Sequence, residues 1–108
     1  MRSPDQLYDE AIELQQAGKL DEALVKLEVL AADHPDYALA HSALAVFLDK
    51  KGRKEEAVEH ARKVCQLEPD DPFSFMAMSL ICQRAGRNSD AEEAMAMAME
   101  KQWAARRV

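Results

Sequence analysis

The chain contains only three glycines, Gly18, Gly52 and Gly86, and each stands 34 residues from the next. A fixed interval of this size marks a stacked repeat, because one unit so small cannot bury its own apolar face and must lay it against a neighbour. An interval of 34 matches a helix–turn–helix unit. That spacing alone restricts the chain to an array of helical hairpins.

Anchoring on the glycines divides the chain into windows 4–37, 38–71 and 72–105 of one domain spanning 1–108. The windows agree well beyond the glycine. Five residues after it stand Ala23, Ala57 and Ala91; four further on, Leu27, Ala61 and Met95; three further still, Leu30, Val64 and Ala98. Seventeen after it come Pro35 and Pro69, with Trp103 in the third place. Before the glycine the apolar positions are Leu7, Ala11 and Leu14, then His41, Leu44, Ala45 and Leu48, then Phe75, Met78, Ser79 and Cys82. Spacings of three, four and seven place such residues on one stripe of a helix. The small alanine lets antiparallel helices approach, the glycine supplies the left-handed backbone that ends the first helix, and the proline stops the second.

On these residues the chain resembles the tetratricopeptide repeat family, whose signature sets a large residue, a glycine or alanine, an alanine and a proline at these offsets. The departures are Leu7, His41 and Phe75 at the usual tryptophan position and Trp103 at the third proline. The resemblance implies an all-α, right-handed solenoid of three helical hairpins with no dedicated C-terminal capping helix. Six antiparallel helices are expected, at about 4–17, 21–34, 38–51, 55–67, 72–85 and 89–104. Ser3, Pro4 and Gln6 form a capping-box start, and Asp71 ahead of Pro72 and the Asn88–Ser89 pair are expected caps. With Trp103 in place of proline, the sixth helix is expected to run on toward Arg106.

Composition narrows the function. A net charge of −6, with basic residues scattered among acids, excludes the clustered basic face that nucleic acid requires. No apolar run reaches the ~18 residues of a membrane span, and the N-terminus lacks the apolar stretch of a signal peptide, so a cytoplasmic protein is expected. Cys65 and Cys82 fall out of register across their turn by ~10 Å at the helical rise, too far for a disulfide, and are expected to be buried thiols.

No catalytic, cofactor-binding or metal-binding residue is expected. His34, His41 and His60 occupy different positions of the repeat, and no nucleophile, phosphate-loop or metal-ligand motif is present. The acidic pairs Glu55–Glu56, Asp70–Asp71 and Glu92–Glu93 are adjacent in sequence, so their side chains diverge and cannot share a proton.

The resemblance further implies that the first helices of successive repeats line a concave groove. The residues that would face it are Tyr8, Ile12, Leu39, Ser42, Val46, Phe73, Met76 and Leu80, with Gln15, Gln16, Asp49, Lys50, Gln83 and Arg84 on its rim. Relatives that hold a peptide's C-terminal carboxylate do so with lysine, asparagine and arginine at positions occupied here by Tyr8, Ile12, Ala43, Phe73 and Ala77, so that clamp does not carry over. The competing expectation is that Phe73, Leu39 and Leu80 pack sideways between helices. A second surface is Met95, Met99 and Trp103, a stripe on the last helix where a further repeat would dock; here the competing expectation is that Trp103 folds back on the third repeat. The leading function is a non-catalytic protein-interaction module that buries a partner's apolar helical or extended segment in the groove. The alternatives are a homodimeric scaffold that self-associates through the groove or the C-terminal helix, and a small chaperone for an apolar secreted or assembly partner.

Overall fold

The computed structural model describes residues 2–107. Its helices are α1 (Pro4–Gln16), α2 (Leu20–Asp33), α3 (Ala38–Lys50), α4 (Lys54–Leu67), α5 (Pro72–Arg84) and α6 (Asn88–Arg106). The expected order and number hold, with ends shifted by one or two residues. α6 is 19 residues long, against 14 in α2 and in α4. Pro35 and Pro69 end those two helices, and Trp103 does not end α6.

The three glycines have φ of +82, +81 and +76°. Each closes the same two-bond turn. In the first repeat the Gly18 N–H donates to Gln15 O at 3.0 Å and the Lys19 N–H to Leu14 O at 2.9 Å. Gly52 and Arg53, then Gly86 and Arg87, repeat the pattern, which satisfies the last carbonyls of the first helix in each hairpin. The Ser3–Gln6 capping box forms with both bonds, and the Asp71 side chain caps α5 at Phe73 N. The Asn88–Ser89 cap does not form. Arg87 is the cap residue of α6 and makes no side-chain cap bond, because the glycine turn fixes the helix start one residue earlier. Arg87 instead pairs with Asp90 at 2.9 Å and reaches back to Glu55 at 2.9 Å.

Each helix packs on its sequence neighbours, and α3 also touches α5, giving a body of 42 × 32 × 21 Å. The alanines five residues beyond each glycine are fully enclosed, with Ala23 and Ala57 at 0% exposure and Ala91 at 2%. Leu27, Leu30, Leu44, Leu48, Val58 and Cys82 are the largest fully buried side chains. Ser79 takes the place that Ala11 and Ala45 hold, and its hydroxyl donates to the Ala91 carbonyl at 2.8 Å, so the change to a polar residue leaves nothing unsatisfied. Cys65 and Cys82 are buried free thiols. Burial pushes the Cys65 thiol up to about 11, far from a reactive thiolate at neutral pH.

Candidate protein-binding groove

The side chains expected to face the groove come from α1, α3 and α5, one helix per repeat. Leu39, Val46, Phe73, Met76 and Leu80 are 40–71% exposed. Phe73, Leu39 and Leu80 therefore do not pack sideways between helices. They project outward because the helix–helix contacts are already filled by Ala40, Leu44, Phe47, Met78 and Ile81, all buried. Ser42 is exposed beside them. Between α3 and α5 lies a cleft of about 380 Å³ whose lining includes Leu39, Ser42, Val46, Phe73 and Ala77.

The first-repeat end of this surface is more closed. Tyr8 and Ile12 are half-buried against the core. Tyr8 meets Tyr37 edge-on, with ring centroids 6.2 Å apart, and the Tyr37 hydroxyl donates to Asp5. Burial, then this bond to Asp5, pushes the Tyr37 hydroxyl up to about 12, so it stays a donor. The turn between the first two repeats is thereby tied to the start of α1.

The rim is partly as expected. Gln16, Lys50, Gln83 and Arg84 are exposed and Gln15 is half-buried. Lys50 lies over the Phe47 ring at 5.7 Å. Asp49 is a correction: at 7% exposure it is buried, not on the solvated edge. Its Oδ1 accepts from Lys54 Nζ at 2.7 Å and its Oδ2 from Arg84 Nε. Burial alone would raise this carboxyl, but the bonds from Lys54 and Arg84 outweigh it and hold it below the usual carboxylate range. Asp49 thus ties α3 to α4 and, across the groove floor, to α5. The equivalent residues are Gln15 and Gln83; nothing in the chain's repetition marks this position as an anion site.

Two features escape a reading of the spacing. His41 and His60 stack, with Nδ1 atoms 2.9 Å apart. His41 Nε2 lies 2.8 Å from the Pro35 carbonyl, which can only accept, so Nε2 carries the proton. The 2.9 Å contact between the Nδ1 atoms is a hydrogen bond when one of them carries a proton and the other does not. Burial and the neighbouring His41 lower the His60 pKa from its ordinary value. The pair is structural, joining the two helices of the second hairpin to the turn before it. Its signal was the 19-residue offset, which also matches Leu7 with Lys26 and Phe75 with Ala94. The second feature is Val25 and Val29, 63% and 55% exposed, which border a cleft of about 480 Å³ with Leu7, Leu14 and Lys26 on the outer side of the first repeat. Their counterparts are Glu59 and Lys63, then Glu93 and Met97.

On α6, Met95, Met99 and Trp103 are 40, 64 and 62% exposed. Trp103 does not fold back on the third repeat, because α6 continues straight past the point where α2 and α4 stop. Among the described residues no three histidine, cysteine or acidic side chains converge as a metal site, and no helix is long and apolar enough to cross a membrane.

Paired helices stacked in register, with exposed apolar side chains along the first helix of the second and third pairs, define a helical-repeat protein. A family model for the tetratricopeptide repeat matches residues 8–72, more than half of the chain, and the chain belongs to that family, a protein-interaction fold. No curated protein matches it in sequence. Among solved structures, it superimposes on MamA with a TM-score of 0.87 at 20% identity, covering 98% of this chain and 62% of that one. It is also similar to the Type III secretion translocator chaperone SycD of Yersinia enterocolitica, with a TM-score of 0.79 at 18% identity over 91% of this chain and 74% of that one. A third structure, the CopN–Scc3 complex, gives 0.83 at 15% identity over 91% of this chain and 58% of the matched one. At these identities the likeness is one of fold. The chain spans about three-fifths of the length of the MamA structure.

Proposed function

We propose that the chain is a non-catalytic interaction module of three repeats working as one unit, and that it takes an apolar segment of a partner protein into the surface formed by α1, α3 and α5. The observation that carries this reading is the set of Leu39, Val46, Phe73, Met76 and Leu80, five large apolar side chains left 40–71% exposed, of which Leu39, Val46 and Phe73 line one cleft. Contiguous apolar surface on this scale marks an interface more often than bare surface. The partner's apolar side chains would enter between α3 and α5, displacing water from both surfaces, while Lys50, Gln83 and Arg84 at the edge fix register. Tyr8, Ile12, Ala43, Phe73 and Ala77 offer no cation to a terminal carboxylate, which favours an internal segment of the partner. A cytoplasmic setting suits two buried thiols that remain reduced.

Peptide selection on the immobilised full chain tests this. Random dodecapeptides enriched on the wild type are expected to carry apolar residues at helical or alternating spacing. They should lose binding to Val46→Glu and Leu80→Glu and keep it to Val25→Glu. Enriched peptides that bind Val46→Glu as well as wild type would remove the groove from the proposal.

A narrower version, a chaperone for an apolar secreted or assembly partner, is favoured by the fold likeness to SycD, itself named a translocator chaperone. An apolar groove on an acidic domain fits that role.

A further inference from the structure

Met95 stands where Leu27 and Ala61 stand in the repeat, and Met99 where Ala31 and Cys65 stand. Those four residues are buried, at 0, 4, 8 and 7% exposure, whereas Met95 and Met99 are 40 and 64% exposed. Cys65 shows what covers them: its sulfur meets the Ser74 carbonyl and the Met78 sulfur on the next repeat. The outer stripe of α6 therefore exposes the positions that a following repeat covers in α2 and α4. Trp103 extends it onto the part of α6 that α2 and α4 lack.

The opposite end of the array does not supply that half. α1 carries Gln6, Glu10 and Glu13 where α3 has Ala40, Leu44 and Phe47 and α5 has Ser74, Met78 and Ile81. Glu10 is held by Arg2 at 2.6 Å and Lys26 at 2.9 Å. A copy stacked head to tail would press an acidic, ion-paired helix against two methionines and strand charge in an apolar contact.

α6 is instead complementary to itself. Glu92, Met95, Met99, Trp103 and Arg106 follow one another at intervals of three, four, four and three, all on one exposed stripe. The intervals read the same in both directions about Met99. When two copies of α6 lie antiparallel with Met99 against Met99, Met95 falls opposite Trp103 of the second copy and Glu92 opposite Arg106. Each end then joins an acid to a base, each flank sets methionine sulfur against an indole, and the helix dipoles oppose. Neither Glu92 nor Arg106 has an ion-pair partner among the described residues. We propose that this chain forms a two-fold symmetric dimer through antiparallel α6 helices centred on Met99, a closed, isologous contact.

Sedimentation equilibrium of the full chain from low to high micromolar concentration is expected to reach twice the 12.1 kDa of one copy. Met99→Lys sets two ammonium groups against each other on the axis and should give the monomer mass throughout, with unchanged far-UV circular dichroism because residue 99 faces solvent. Glu92→Arg should weaken the dimer by about tenfold or more through like charges at both ends, and adding Arg106→Glu should restore it, a rescue that only the antiparallel register provides. The proposal is overturned by a monomeric wild type, by an open-ended polymer, by a dimer that survives Met99→Lys, or by a double variant that stays as weak as Glu92→Arg.

Discussion

Asp49→Ala removes a carboxylate that joins three helices, and its cost can be worked from the structure. Two charge-assisted bonds are lost, each worth about 1.5–3 kcal/mol between well-shielded groups. Here the carboxylate is 7% exposed, but the Arg84 and Lys54 side chains are 53% and 38% exposed. Solvent screening lowers each bond to about 0.5–1 kcal/mol. The two cations left behind reach water, so the large penalty for stranding a buried charge does not apply. The sum is a loss of about 1–2 kcal/mol, or about 4–10 °C in Tm for a chain of this size. Urea denaturation at neutral pH measures it, and a double-mutant cycle with Arg84→Ala should return a coupling of about 0.5–1 kcal/mol. The pH dependence has a definite sign. Because the folded carboxyl sits below its ordinary 3.8, its contribution is complete above that value and is lost as pH falls through the folded one. Wild-type stability in Asp49→Ala at neutral pH, or zero coupling to Arg84, would refute the bridge across the groove floor.

Gly52→Ala meets no atom within 4 Å at the added carbon, so its whole cost is the left-handed backbone, about 1–2 kcal/mol, and Gly18→Ala and Gly86→Ala should each match it in chemical denaturation. Leu44→Ala, at a fully buried site, should cost about 2–5 kcal/mol by the same measurement. His60 is lowered below 6.5 by burial and by His41, against the pull of Glu28, Glu59 and Glu56. The fold therefore favours neutral His60, and that stability is present above pH 6.5 and declines as pH falls from there toward the folded value. Comparing urea midpoints at pH 7.5 and 5.5, the wild type should lose more stability than His60→Ala.

The scaffold was legible because every hairpin solves the same problem with the same residues. Glycine must take the left-handed turn and alanine must sit where helices cross, and both constraints recur at a fixed interval. The apolar row of Leu39, Val46, Phe73, Met76 and Leu80 was legible for a related reason, since the buried stripe is already filled by other residues of the same helices. What the interval could not reveal are the places where repeats differ. Asp49 departs from Gln15 and Gln83, and its ion pair needs Arg84 from the following repeat. The His41–His60 pair stands where the other repeats set Leu7 with Lys26 and Phe75 with Ala94, and only the offset between facing helices predicts it. Val25 and Val29 occupy positions that are charged or half-covered in the other repeats. Periodicity reports what successive units share, and the specific chemistry of this chain lies in what they do not.

The two proposed surfaces adjoin at Gln83, which shares a cleft with Glu92 and Met95, yet they rest on different helices, and that bears on affinity. The cleft between α3 and α5 has no α6 residue in its lining, so an α6 dimer leaves that cleft open in each copy. A partner with two apolar segments, or one that is itself dimeric, would then engage both sites, and its second binding step becomes intramolecular. Linked sites of this kind gain about 10²–10⁴-fold over one site when the geometry allows both to fill. Met99→Lys should therefore leave the affinity for a single peptide unchanged while lowering that for a tethered pair of the same peptide, measured by titration calorimetry on the same preparation. Equal losses for both ligands would mean that the groove and the α6 surface are one site. No loss for the tethered pair would mean that the two grooves of a dimer cannot be spanned together.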